Sequence, residues 1–146
     1  MANPLYGSNQ VDNDMDLYGR GLRQVISVAA GVHQQLRADE TGALVVLAAN
    51  STEVTLPAAA AGLNFQFIFS AHATAACRVN TSAADDFVGS LNANTGAGDI
   101  AVDGDVSIDT GSATVAGDYV SVVSDGTDWF IVDSMSSATT NGLVMA

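Results

Sequence analysis

The 146-residue sequence predicts an all-β fold: an antiparallel β-sandwich or barrel-like body, residues 24–146, preceded by an extended N-terminal arm, residues 1–23. Three observations predict it. Short apolar runs recur about every ten residues with Gly, Asn and Asp between them, and no stretch sustains a helical period. Composition agrees, since 48% of the chain is hydrophobic but only 6% aromatic, the balance of tightly packed Ala- and Val-rich strands. The clearest single signal lies at residues 117–132, where two apolar runs flank Asp125-Gly126 and read as a hairpin.

In that hairpin a two-residue turn places Ser124 opposite Thr127. Val122 then opposes Trp129 and Val120 opposes Ile131 on one face. Tyr119 opposes Val132 and Ser121 opposes Phe130 on the other. Both faces are apolar, which predicts core on one side and a subunit contact on the other.

Residues 1–19 are polar and turn-rich but carry spaced apolar groups, among them Leu5, Tyr6, Leu17 and Tyr18, a pattern of docking pegs rather than of a solubilising tail. Gln24–Val28 reads as a first strand, and residues 31–42 as a connection or irregular edge strand. Leu44–Ala49 reads as a buried strand, and 52–56 alternates, with Val54 and Leu56 on one side and Glu53 and Thr55 on the other. Pro57 and Gly62 bracket four alanines and predict one helical turn. Phe65, Phe67 and Phe69 alternate with Gln66 and Ile68, the pattern of a central strand whose rings form a core column. A strand around Cys77 and Val79 follows, then an acidic turn at Asp85-Asp86 leading into a short strand. Asp103-Gly104 predicts a second hairpin over residues 100–108. The end of the chain, 134–146, is a frayed tail or a last docked strand. No internal repeat is visible.

Charge narrows the function. Sixteen acids face four arginines, giving a net charge of −12 and a pI near 4.1, which repels a phosphate backbone and argues against nucleic acid as a partner. The field is uneven. Residues 1–39 hold three arginines against four aspartates, a net of −1, whereas residues 40–146 hold Arg78 against twelve acids, a net of −11. Only the N-terminal part can approach another acidic surface without strong repulsion. No apolar run reaches the ~18 residues of a membrane-spanning helix and no signal-peptide pattern opens the chain, so a membrane is not an expected partner. Cys77, the lone cysteine, reads as a buried inert thiol.

Catalytic patterns are missing. His33 and His72 lie in unrelated segments, and no nucleophile elbow is present. Asp99, Asp103, Asp105 and Asp109 do not follow the EF-hand spacing and read as a solvated hairpin tip, so neither a metal nor a cofactor is expected. Adjacent Asp85 and Asp86 point to opposite sides of an extended chain and cannot flank one substrate. Trp129 with Tyr119 would make a sugar-stacking platform if exposed; as a core or interface anchor the tryptophan is structural.

Residues 117–132, Gly-Asp, an alternating strand, then Ser124-Asp125-Gly126-Thr127-Asp128-Trp129 and a second strand, resemble the closing motif of small tailed-phage head decoration (cement) proteins. Residues 54–67, a strand, Leu56-Pro57, Ala61-Gly62 and an aromatic strand, are similar to another segment of that group, in the same order. The resemblance covers about residues 40–134. It implies a non-enzymatic virion protein, made in the host cytoplasm, commonly a homotrimer, that sits on the outer surface of an icosahedral head and braces the major capsid protein. The contact residues expected on that basis are Leu5, Tyr6, Leu17, Tyr18, Arg20 and Arg23 of the arm, with Tyr119 and Trp129 of the ribbon. The alternative is a receptor- or carbohydrate-binding module of a phage tail fibre or spike, and a more distant one is a calcium-dependent adhesin module.

Overall fold

The computed structural model describes residues 24–48, 50–70, 77–82, 84–92, 100–101, 104–110, 114–137 and 142–145. The arm therefore lies outside the described residues, and with it Leu5, Tyr6, Leu17, Tyr18, Arg20 and Arg23. His72, Asp99 and Asp103 do so too.

The body is all-β, as its composition and spacing predict. Its strands are β1 (Val25–Val28), β2 (His33–Gln35), β3 (Leu44–Leu47), β4 (Glu53–Thr55), β5 (Asn64–Phe69), β6 (Arg78–Asn80), β7 (Phe87–Ser90), β8 (Ile100–Ala101), β9 (Ser107–Thr110), β10 (Tyr119–Ser124), β11 (Trp129–Met135) and β12 (Leu143–Met145). They form two packed sheets, a seven-stranded one in the order β1-β3-β5-β10-β11-β7-β8 and a five-stranded one in the order β12-β9-β6-β4-β2.

The sheets are mixed, which corrects the expectation of an antiparallel sandwich. From β1 to β6 the chain changes sheet at every strand, so strands that become neighbours arrive from the same end. The pairs β1/β3, β3/β5, β2/β4 and β4/β6 are accordingly parallel. This is a coil with windings of roughly twenty residues. It repeats in space without repeating in sequence. β10 then inserts antiparallel between β5 and β11, β11 runs parallel to β7, and β9 and β12 close the smaller sheet antiparallel.

Each winding keeps its sheet position because its residues alternate. In β5 the three phenylalanines are all buried while Gln66 and Ile68 are half-exposed. Val45 and Leu47 from β3, Val120 and Val122 from β10 and Trp129 from β11 share that interior with Val54, Val79 and Ile108 of the smaller sheet. Each large side chain sealed there contributes about 1.5–3 kcal/mol. Cys77 belongs to this core, its thiol 3.4 Å from the Ala48 carbonyl oxygen. The chain's end is a docked strand, β12 pairing with β9.

Two local expectations fail. The alanine run at 58–61 makes no helix; it bends, Leu63 N–H donates to the Ala60 carbonyl, and Gly62 takes a φ of +89°. Four residues provide too few hydrogen bonds to offset helix nucleation. The segment is fixed instead by the carboxylate of Asp85, which accepts from Ala59 N–H at 2.8 Å and from Ser82 Oγ at 2.6 Å. A 3-10 turn, Ala38–Glu40, lies at the end of the polar connection after the edge strand β2. Residues 100–108 are likewise no hairpin, for β8 pairs with β7 in one sheet and β9 with β6 and β12 in the other. Gly104, at φ +97°, marks a crossing between the sheets rather than a hairpin tip.

Candidate interaction surface

The ribbon of β10 and β11 is built by its turn. Ser124 pairs with Trp129, so four residues, Asp125 to Asp128, make the loop, and the register moves from the one a two-residue turn would impose. The Asp125 carboxylate accepts the N–H groups of Thr127 (2.8 Å) and Asp128 (3.1 Å), while Ser124 Oγ accepts that of Gly126 (3.1 Å). These side-chain caps stabilise the longer loop and explain why Asp-Gly does not close alone. Those two backbone donors also hold the Asp125 carboxyl below its ordinary pKa. Stabilisation of the turn is therefore complete above pH about 4 and is lost as pH falls through the lowered folded-state value. Protection of the Thr127 and Asp128 amides, taken relative to their intrinsic exchange rates at each pH, should fall selectively in acid, and in Asp125→Ala it should be lost at neutral pH too.

A second feature re-aims β11. Val122 pairs with Ile131 but Ser121 pairs with Asp133, leaving Val132 as the extra residue of a bulge. Before the bulge Trp129 and Ile131 face inward; beyond it Ser134 and Ser136 do, and Val132 is left 61% exposed.

This geometry corrects one contact residue. Trp129 is wholly buried, its ring 5.9 Å from that of Phe65, so it anchors the interior and presents nothing to a partner. Tyr119 points to the opposite side, where its hydroxyl donates to Asp133 Oδ2 at 3.1 Å, a bond that raises the tyrosine pKa. The two rings lie on opposite faces of the sheet and cannot stack on one sugar.

Tyr119 belongs to an outer face on which six strands place apolar side chains, on either side of a polar middle row of Gln66, Ser121 and Asp133. One register row runs Val46, Ile68, Tyr119 and Met135. A flanking row runs Val123, Phe130 and Val88, and Val25 stands beside Leu44 at the β1 edge. All of these side chains are half-exposed or exposed. Among the described residues only Asp133 brings a charge to this face.

The outer face of the smaller sheet is the opposite case. His33, Glu53, Arg78 and Asp109 stand in one register row, with His33 Nδ1 3.1 Å from Glu53 and Arg78 gripping Asp109 through two guanidinium nitrogens. That hydrogen-bonded pairing raises the Arg78 pKa. Gln35, Thr55, Asn80 and Ser107 form the adjacent polar row. Such a face is content in water. An apolar sheet face is not.

Other acids have local roles. Asp109 is committed to Arg78, Asp85 pins the 57–62 segment, and Asp118, fully buried, accepts the N–H groups of Val115 (3.1 Å) and Ser137 (2.8 Å). Among the described residues no three His, Cys, Asp or Glu side chains are grouped to hold a metal ion. No helix among them is long and apolar enough to cross a membrane.

Sequence reasoning found the ribbon half of the apolar face through its two-sided hydrophobicity. It missed Val46, Ile68 and Val88, although the unbroken apolar run Leu44–Leu47 carried the same signal. No protein-family model matches this chain, and no curated protein matches it significantly.

Proposed function

We propose that this chain is a capsid decoration protein, which binds the outer surface of an icosahedral phage head as a homo-oligomer, a trimer by resemblance, and stabilises the lattice of the major capsid protein. The observation that carries the reading is the contrast between the two outer faces. One is ionic and wetted, suited to the outside of a particle; the other is richer in apolar side chains and suited to cover by protein. The strongly acidic body supports the same orientation, with the near-neutral arm as the part that approaches a neighbouring surface. Burial of Trp129 removes the aromatic that a carbohydrate-binding reading would use.

Stabilisation works by linkage. A ligand that binds only the assembled, expanded lattice adds RT ln(1 + [L]/Kd) to its stability, about 2.7 kcal/mol per site at a hundredfold excess over Kd. No catalysis is needed. The test is to add the purified protein to heads that lack it. Saturable co-sedimentation, in numbers proportional to the capsid subunits and with a raised thermal disruption temperature, is expected. Binding to disassembled capsid subunits with equal affinity would contradict the mechanism.

A further inference from the structure

The outer face of the seven-stranded sheet carries one charge among the described residues, and we infer that this group, Asp133, receives an arginine or lysine side chain of the major capsid protein when the face is covered. The inference rests on the reading of this face as the covered one and adds what its partner must bring. The bulge in β11 places the charge. Trp129 and Ile131 face inward, so strict alternation would carry Asp133 into the core. The extra residue at Val132 reverses the parity, turning Ser134 and Ser136 in and Asp133 out.

The carboxylate is oriented but only partly used. Tyr119, in the adjacent register row, donates its hydroxyl to Oδ2 at 3.1 Å, and among the described residues no other group bonds to Asp133. Oδ1 is left for a donor from outside. The surface around it is striped: the polar middle row of Gln66, Ser121 and Asp133 has Ile68, Tyr119 and Met135 on one side and Val123 and Phe130 on the other. An occupant that matches this pattern carries a cationic, hydrogen-bonding centre between apolar flanks. The Tyr119 ring suits such a cation, because a guanidinium or ammonium group can lie on an aromatic face while it pairs with a carboxylate.

Charge selects the partner. Covering a carboxylate without supplying a cation strongly opposes binding. The same face of a second copy cannot supply one, since it brings another Asp133 and no base. Elsewhere on the described body the basic groups are engaged, Arg37 with Asp39 at 3.2 Å, Arg78 with Asp109 and His33 with Glu53. None of them stands on this face. The described body thus offers no base of its own, and the cation is assigned to the capsid subunit; Arg20 and Arg23, which lie outside the described residues, are distinguished by the experiment.

The experiment is co-sedimentation of the full chain with heads that lack it, across a salt series. Asp133→Asn keeps an acceptor for Tyr119 and removes the charge; it should bind about tenfold more weakly at low ionic strength, with the difference shrinking as salt rises. Asp133→Arg should lose more. Asp128→Asn, which removes the same charge from the β10–β11 turn, is the control and should bind like the unsubstituted protein. Equal unfolding midpoints by circular dichroism establish that the variants are folded. Asp133→Asn with unchanged affinity and salt dependence would overturn the inference and leave the capsid reading standing. In a background of Arg20→Ala with Arg23→Ala, Asp133→Asn should cost the same factor. Loss of that cost would assign the cation to this chain's own arm and overturn the inference too. An unsubstituted protein that fails to bind heads would sink the capsid reading itself, and this inference with it.

Discussion

Trp129→Ala should lower the unfolding free energy by about 3–5 kcal/mol, the range for truncating a fully buried large aromatic. The tryptophan is 0% exposed and packs against Phe65 in the seven-stranded sheet, where β11 joins the antiparallel β10 to the parallel β7. Removing it opens a cavity that two flanking strands and the facing sheet cannot all move to fill. Trp129→Phe separates packing from polarity. The indole Nε1 is buried and has no hydrogen-bond partner among the described residues, so the phenyl ring gives up some volume but relieves an unpaired donor. Its cost should stay near 1 kcal/mol. Urea titrations followed by near-ultraviolet circular dichroism measure both. An alanine variant within 1 kcal/mol of the parent would show that the ribbon is not the organising element of the core.

The largest effect on binding is expected at the far end of the arm. Leu5→Ser combined with Tyr6→Ser should weaken attachment to capsids by about two orders of magnitude, as loss of paired apolar anchors does at protein interfaces, while leaving the unfolding midpoint of the body unchanged. Arg20→Ala with Arg23→Ala should act differently. Both side chains lie in the near-neutral stretch, and their removal should weaken binding at low ionic strength and matter little at high salt, where screening already suppresses the attraction. Co-sedimentation with heads across a salt series distinguishes the two. Unchanged binding in the Leu5/Tyr6 variant would remove the arm from the mechanism.

Much of this architecture can be read in the sequence wherever a strand buries one side. Phe65, Phe67 and Phe69 announce β5, and Val54 with Leu56 announces the turn of chain around β4, because a two-residue period has one physical meaning. Sheet membership has no such mark. Val25, Leu44 and Gln66 form a ladder because the chain crosses between sheets at each strand, and nothing in the residues of one strand records where the next will lie. The same limit misreads Asp103-Gly104, whose glycine lies where the chain passes from one sheet to the other.

The ribbon shows how side-chain caps decide register. Asp125-Gly126 alone predicts a two-residue turn, but Asp125 accepts from Thr127 and Asp128 and draws both into the loop. The lengthened loop changes every partner across the hairpin. The break at Val132-Asp133 was the available clue to the bulge, since an aspartate there interrupts the alternation. Of the candidate surface, the ribbon contribution was legible from two apolar parities in one strand pair. The remainder required knowing that β1, β3, β5 and β7 share the ribbon's sheet.

Electron cryomicroscopy of the source virion tests the central claim most directly. The decoration reading predicts density for this protein repeated over the outer surface of the head, with the His33–Glu53–Arg78–Asp109 face toward solvent and the apolar face covered. Density confined to the tail, or only a few copies per particle, would contradict it.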